Sequence, residues 1–130
     1  MPEVHIASVM QTEFITLEPD EPIRAAAARL VAANALAAPV VDNAGNLVGI
    51  LTQRDCFRPA LNASYYQQWQ GTVAEVMSAG VATLDASIDI VEAAEQFLSR
   101  PYRSYPVMDG GTLVGLLDRH ELLAAFLERS

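Results

Sequence analysis

The chain has 130 residues, with 16 acidic side chains against 8 basic ones and a formal net charge of −8. That acidic excess argues against nucleic acid and against an anionic membrane surface, both of which require Lys and Arg to neutralise phosphates. Just over half of the residues are apolar, which supplies a core and argues against disorder. The single cysteine, Cys56, excludes an intrachain disulfide, and with His5 and His120 it makes no metal-ligand spacing. It reads as a small buried apolar residue, and no metal is expected. The start, Met1-Pro2-Glu3, is acidic where a secretion signal is basic, and no apolar stretch reaches the roughly 20 residues of a membrane span. A cytoplasmic location is the expectation.

In chain order, residues 14–17 read as a short strand. Asp20 is a plausible cap and Pro22 suits the first turn of an alanine-rich helix running to about Ala33, with Arg24 and Arg29 facing water. Pro39-Val40-Val41 reads as a buried strand, Asp42-Asn43-Ala44-Gly45-Asn46 as a hairpin turn, and residues 47–51 as the returning strand. A second helix starts near Thr52. Residues 59–71, with Tyr65, Tyr66 and Trp69, read as a partly helical connector whose aromatics either pack on the module or meet a partner. The order then recurs: Ser87 as a cap, a helix over 88–100, strands over 105–108 and 113–117, and a helix over 118–127.

This recurrence is an internal repeat. Val9-Met10 returns 67 residues on as Val76-Met77, Thr16-Leu17 as Thr83-Leu84, Ala26-Ala27 as Ala93-Ala94, and Pro39-Val40 as Pro106-Val107. After one residue is lost in a turn, Leu47-Val48-Gly49 returns as Leu113-Val114-Gly115. The expected fold class is therefore α/β (α+β), built from two β-α-β-β-α repeats packed with pseudo-two-fold symmetry. Residues 1–61 form repeat one with an N-terminal segment, 62–71 a connector and 72–130 repeat two. A single repeat of this size buries too little surface to be stable alone, so the two are expected to share a core, with ligand clefts between them.

The segment Gly49-Ile50-Leu51-Thr52-Gln53-Arg54-Asp55 carries the most chemistry. A strand gives way to a helix there, and unpaired N–H groups with the Thr52 hydroxyl suit a phosphate. Asp55 is placed to accept hydrogen bonds from ribose hydroxyls. The same two residues also form a capping box, in which they only tie off the helix end. In repeat two the equivalents are Asp118 and Glu121, which keep the capping pattern and lose the hydroxyl.

The pattern of Val-Met, a first strand, an alanine-rich helix, Pro-Val-hydrophobic-Asp, Leu-Val-Gly and Thr-x-x-Asp resembles the cystathionine-β-synthase (CBS) domain family, over about residues 6–127. The resemblance implies a paired regulatory module that binds AMP, ATP or another adenosine compound as a regulatory ligand, with no required cofactor. It implies a composite site: Thr52 and Asp55 from repeat one; Val81 and Ala82 in the first strand of repeat two; and Tyr102, Arg103, Ser104 and Pro106. Arg103 would meet phosphate, and Tyr102 would either cover the adenine or cap the core. The second cleft, with Phe14, Ile15, Leu36, Ala37, Pro39, Asp118 and Glu121, departs from the pattern. A carboxylate at Asp118 repels an anion, so this cleft is expected to be empty or to suit something uncharged.

No nucleophile–base set is suggested by spacing, so an enzyme is not expected. The leading expectation is a nucleotide-binding sensor that signals to a partner protein or a dimer mate. The alternative is a ligand-free interaction module. Stand-alone pairs of the family that this chain resembles dimerise, so a homodimer is expected, without nucleic acid or membrane partners.

Overall fold

A computed structural model describes residues 4–130. The chain separates into two compact units: the segment up to Phe14 together with Ala82–Ser130, and Ile15–Val81. The units are thus not the sequence repeats. Each takes its leading segment from the part of the sequence that precedes the other repeat's first helix.

The second of these, Ile15–Val81, contains helix α1 (Ile23–Ala32), strands β1 (Ala37–Val41) and β2 (Leu47–Thr52), a 3-10 turn (Arg54–Cys56), α2 (Phe57–Tyr66) and the short α3 (Val73–Val76). Apolar side chains at helical spacing, Ile23, Ala26 and Leu30, bury one face of α1 against Leu17, Ala38, Val40 and Leu51. The hairpin β1–β2 turns where Asp42 Oδ1 accepts from the N–H groups of Ala44 and Asn46, with Gly45 at φ +85°. Trp69 and Val73 pack on the same core, while Tyr65 and Tyr66 stay exposed.

The other unit repeats the plan with β3 (Leu84–Asp85), α4 (Ile90–Ser99), β4 (Ser104–Asp109), β5 (Thr112–Asp118) and α5 (Arg119–Glu128). Its core holds Ile6, Leu84, Ile90, Ala93, Tyr105, Val107, Leu117, Leu122 and Ala125. Sheet order is β3-β4-β5, with β3 parallel to β4. Both hairpins carry a register irregularity at the same repeat position, Val40/Val41 and Val107/Met108.

The internal repeat extends to single contacts. Ile23 N–H donates to Gly71 and Val73 N–H to Glu21; in the other unit Ile90 N–H donates to Val4 and Ile6 N–H to Ile88. Ser78 exchanges both backbone bonds with Ile50, and Gln11 does the same with Leu116. Pro39 lies opposite Ile50 and Pro106 opposite Leu116. The partners' polar groups therefore face away from the prolines, and no donor is missing from either ladder. Among the described residues no helix is long and apolar enough to cross a membrane.

Four local expectations are corrected. The strand over 14–17 shrinks to one parallel bridge, Leu17 with Val40. Asp20 does not cap α1: Pro22 stands at the N-cap position without a side-chain bond, because the chain is held there by the Gly71–Val73 backbone. Ser87 bonds Asp85 instead of capping, and Asp89 caps α4 through Glu92 N–H. Residues 62–66 of the expected connector belong to α2, which ends at Gln67 in the left-handed region.

The exchange of leading segments depends on two glycines. A Cβ built on Gly49 collides with the sulfur of Met77 and comes within 3.0 Å of the Ser78 carbonyl; one on Gly115 collides with Met10. We predict that Gly49→Ala costs about 1–3 kcal/mol of stability through overpacking. Combining it with Met77→Ala should cost less than the sum of the two single substitutions, as read from urea unfolding in a double-mutant cycle. Strict additivity would refute the packing.

Candidate functional site

The Thr52-x-x-Asp55 segment bridges the end of β2 and the 3-10 turn leading into α2. Asp55 N–H donates to Thr52 Oγ1 at 3.1 Å, and Thr52 N–H donates to Asp55 Oδ2 at 2.9 Å. This is a reciprocal capping box. It uses one carboxylate oxygen of Asp55; among the described residues Oδ1 has no side-chain hydrogen bond, so the cap and a ligand contact are compatible. Beside it, Gln53 N–H donates to Leu36 O and Ala37 pairs with Thr52. Below it, Cys56 is buried, and desolvation, with the Asp55 charge adding to it, pushes its thiol pKa up. A protonated, buried thiol is a packing group and not a nucleophile.

The equivalent place in the other unit is built differently. Asp118 and Glu121 also form a capping box at the start of α5. Here Gln11 Nε2 donates to Asp118 Oδ2 at 3.0 Å and to Glu121 Oε1 at 2.8 Å, and the Ser104 hydroxyl donates to Asp118 Oδ1. Arg119 N–H donates to Arg103 O at 3.2 Å. Both oxygens of Asp118 are therefore occupied from within the unit.

The expected site residues divide as follows. Thr52 and Asp55 lie in one unit with Ile15, Leu36, Ala37, Pro39 and Val81. Ala82, Tyr102, Arg103, Ser104 and Pro106 lie in the other with Phe14, Asp118 and Glu121. Within its unit, each leading pair, Leu36-Ala37 or Arg103-Ser104, adjoins its own Thr-x-x-Asp equivalent. Val81 and Ala82 precede β3 and are not part of a strand, a correction to the expected first strand. Pro39 and Pro106 are fully buried supports. Tyr102 is half-exposed, with its ring edge-on to buried Tyr105 at 5.8 Å. Arg103 is exposed and has no ion pair among the described residues.

Three functional candidates were missed. Gln11 occupies the repeat position of Ser78, so the register itself marked it as a difference. Arg54 and Arg58 correspond to His120 and Ala124, a charge asymmetry equally visible in the sequence. Both arginines line a cavity of about 1050 Å³ that also includes Asp55, Tyr65, Tyr66 and Gln70 and lies wholly within residues 54–76.

A CBS-domain family model matches residues 6–61 and again 73–128. The chain belongs to the CBS-domain family. A CBS domain-containing protein of Dictyostelium discoideum is 30% identical, over 93% of this chain and 90% of its own length. The CBS domain-containing protein YhcV of Bacillus subtilis is 30% identical over 86% and 78%. Among solved structures, the CBS domain pair of protein MJ0100, in complex with 5′-methylthioadenosine and S-adenosyl-L-methionine, is 25% identical with TM-score 0.83, covering 99% and 100%. CBSX2 of Arabidopsis thaliana in complex with AMP has TM-score 0.84 at 23% identity, covering 96% and 97%, a likeness of fold. This CBS pair is accordingly a mixed helix-and-strand fold in which the two family repeats carry differently bonded capping boxes.

Among the described residues the amide of Gln11 is the one side-chain donor that bridges Asp118 and Glu121. Gln11→Glu would replace it with a third carboxylate. We predict a loss of about 1–3 kcal/mol at neutral pH, from the lost charge-assisted bonds and like-charge repulsion. Crowding raises folded-state carboxyl pKa values in the variant, so its deficit should be full at neutral pH and shrink as pH falls through the carboxylate range. Denaturant titrations of both proteins at several pH values check this; a deficit independent of pH would refute it.

Proposed function

We propose that this CBS pair is a regulatory module, not an enzyme, that binds one adenosine compound per chain at Thr52 and Asp55. The observation that carries this is the asymmetry of the two capping boxes: among the described residues the side chains of Thr52 and Asp55 bond only within their own box, while Gln11 bonds both Asp118 and Glu121 and Ser104 bonds Asp118. The 5′-methylthioadenosine and S-adenosyl-L-methionine bound by the MJ0100 pair, and the AMP bound by CBSX2, support the adenosine class. The proposed contacts are ribose to Asp55 and phosphate to the Thr52 region. Binding would change the geometry of the module, and a partner protein or dimer mate in the cytoplasm would read the change.

Asp55→Ala should weaken adenosine and AMP by similar factors, about 1.5–3 kcal/mol each, since both carry the ribose hydroxyls. It should also lower ligand-free stability by about 1 kcal/mol, because the capping box is lost. Calorimetry with each ligand measures the affinities, and calorimetric melting without ligand measures the stability. Lowered stability with intact affinity in Asp55→Ala would leave the carboxylate a cap and nothing more.

A second observation favours assembly. Phe57, Leu61 and Tyr65 are one turn apart along α2 and all exposed, Phe57 by 66% and Tyr65 by 78%; Leu123 and Leu127 are likewise exposed on α5. We infer a homodimer closed by these stripes, a reading that also serves a ligand-free interaction module. Light scattering should give twice the 14.0 kDa chain mass at micromolar concentration, and Leu61→Glu should reduce it to one chain. A wild-type monomer would refute it.

A further inference from the structure

Both units lay a thioether on a strand glycine in the same way: Met77 lies against Gly49 and Met10 against Gly115. Each sulfur fills the space in which a side chain on the glycine would stand, and at Gly49 the Ser78 carbonyl lies within 3.0 Å of that space. Each methionine is followed at once by the residue that adds a rung to the hairpin. Ser78 N–H donates to Ile50 O at 3.0 Å, and Ile50 N–H donates back to Ser78 O at 3.0 Å. Gln11 N–H donates to Leu116 O at 2.8 Å, and Leu116 N–H donates back at 3.0 Å. Met10 and Met77 sit at the margin of their cores and are only half-buried, so part of each side chain meets solvent. Neither belongs to the apolar stripes of α2 and α5. Met108 differs: it lies on β4 opposite Leu113 and is not among the side chains packed on either core.

We propose that Met10 and Met77 are oxidation sites, and that their sulfoxides release the leading segments from the two hairpins. The oxidant is hydrogen peroxide. The thioether sulfur attacks one peroxide oxygen, and the S–O bond forms as the O–O bond breaks. Sulfur gives up two electrons; the departing hydroxide takes the proton of the transferred hydroxyl and leaves as water. The product is polar and chiral where the thioether was apolar and adaptable. Its oxygen has no room on the glycine side, and at Gly49 it would set one acceptor against another, the Ser78 carbonyl, with no donor supplied. Because the rung residue directly follows the methionine, displacing Met77 draws Ser78 from Ile50, and displacing Met10 draws Gln11 from Leu116. Release of Gln11 has a further effect, since its amide bridges Asp118 and Glu121 at the start of α5. A sulfoxide reductase that oxidises two thiols to a disulfide would restore each thioether and carry the oxygen off as water. Adenosine binding plays no part in the step.

The test treats the ligand-free full chain with hydrogen peroxide at neutral pH, with N-acetylmethionine in the same solution as a reference thioether. Peptide mass spectrometry locates each added oxygen, while amide hydrogen exchange and urea unfolding read the consequence. The wild type is compared with Met10→Leu, Met77→Leu and the double variant, because leucine nearly keeps the volume and has no sulfur to oxidise. Met10 and Met77 should each take up one oxygen. The amides of Ser78 and Ile50, and of Gln11 and Leu116, should then exchange about tenfold or more faster, and the urea midpoint should fall. After peroxide, Met77→Leu should keep the Ser78–Ile50 rung protected, Met10→Leu the Gln11–Leu116 rung, and the double variant both. Exchange in the oxidised wild type reads the two rungs directly, so the outcome does not depend on the leucine variants folding. An oxidised reference with Met10 and Met77 intact overturns the proposal. So do sulfoxides at both positions with exchange and midpoint unchanged, or a double variant that loses stability like the wild type, which would move the effect to Met108 or Cys56.

Discussion

A methionine side chain lying against a strand glycine is the contact on which each unit depends. Met77 covers Gly49 and Met10 covers Gly115, where any Cβ would collide with the sulfur. The close approach lets the next residue, Ser78 or Gln11, exchange backbone bonds with Ile50 or Leu116 and extend the hairpin by one rung. The methionine in each case comes from the segment that leads into the other repeat. Residues 15–81 complete one unit's sheet and core by reaching past the first repeat, and the other unit joins the segment up to Phe14 to Ala82–Ser130. For units this small, that sharing supplies buried surface that each alone would lack.

The same scaffold holds two differently wired helix starts. Thr52 and Asp55 satisfy each other and leave one carboxylate oxygen over. Lengthening the second acid to Glu121 and replacing the threonine by Asp118 puts two carboxylates side by side, a pair that needs donors. Gln11 and Ser104 provide them, at positions held in the other unit by Ser78 and Ala37. The four differences act as a set: without Gln11 and Ser104 the acidic pair lacks its side-chain donors, and without the acids those donors have no role. One copy of the motif is bonded to side chains outside its own box, while the other bonds only within itself among the described residues.

Much of this was legible in the sequence because repetition makes register visible. Pro39-Val40 against Pro106-Val107 placed the strands, and Asp42 to Asn46 placed the turn, since short polar side chains bonding their own backbone have few alternatives. What failed was local capping. Asp20 and Ser87 are good caps by residue type, but the backbone of a distant segment holds the helix entry, and Asp89 stands where the helix begins. The strand over 14–17 failed for a related reason: only Leu17 meets Val40, a pairing set by tertiary register and not by β propensity. The grouping of Arg103-Ser104 with Asp118, and of Leu36-Ala37 with Thr52, was also hidden. It follows from hairpin register, which one-dimensional repeat matching does not contain.

Charge closes the argument. A chain with net charge −8 and no lysine repels anions at a distance, so any anion it held would have to be held locally, by individual side chains. Arginine suits that need: its charge is permanent and its donors are fixed in a planar fork. Of the eight arginines, Arg29 is spent on Glu21 and Arg129 on Glu128. Arg54 and Arg58 stand beside Thr52 and Asp55, and Arg103 and Arg119 stand beside Asp118, so each capping box has arginines next to it. The two helix starts therefore differ in how their carboxylates are bonded, not in whether a cation adjoins them.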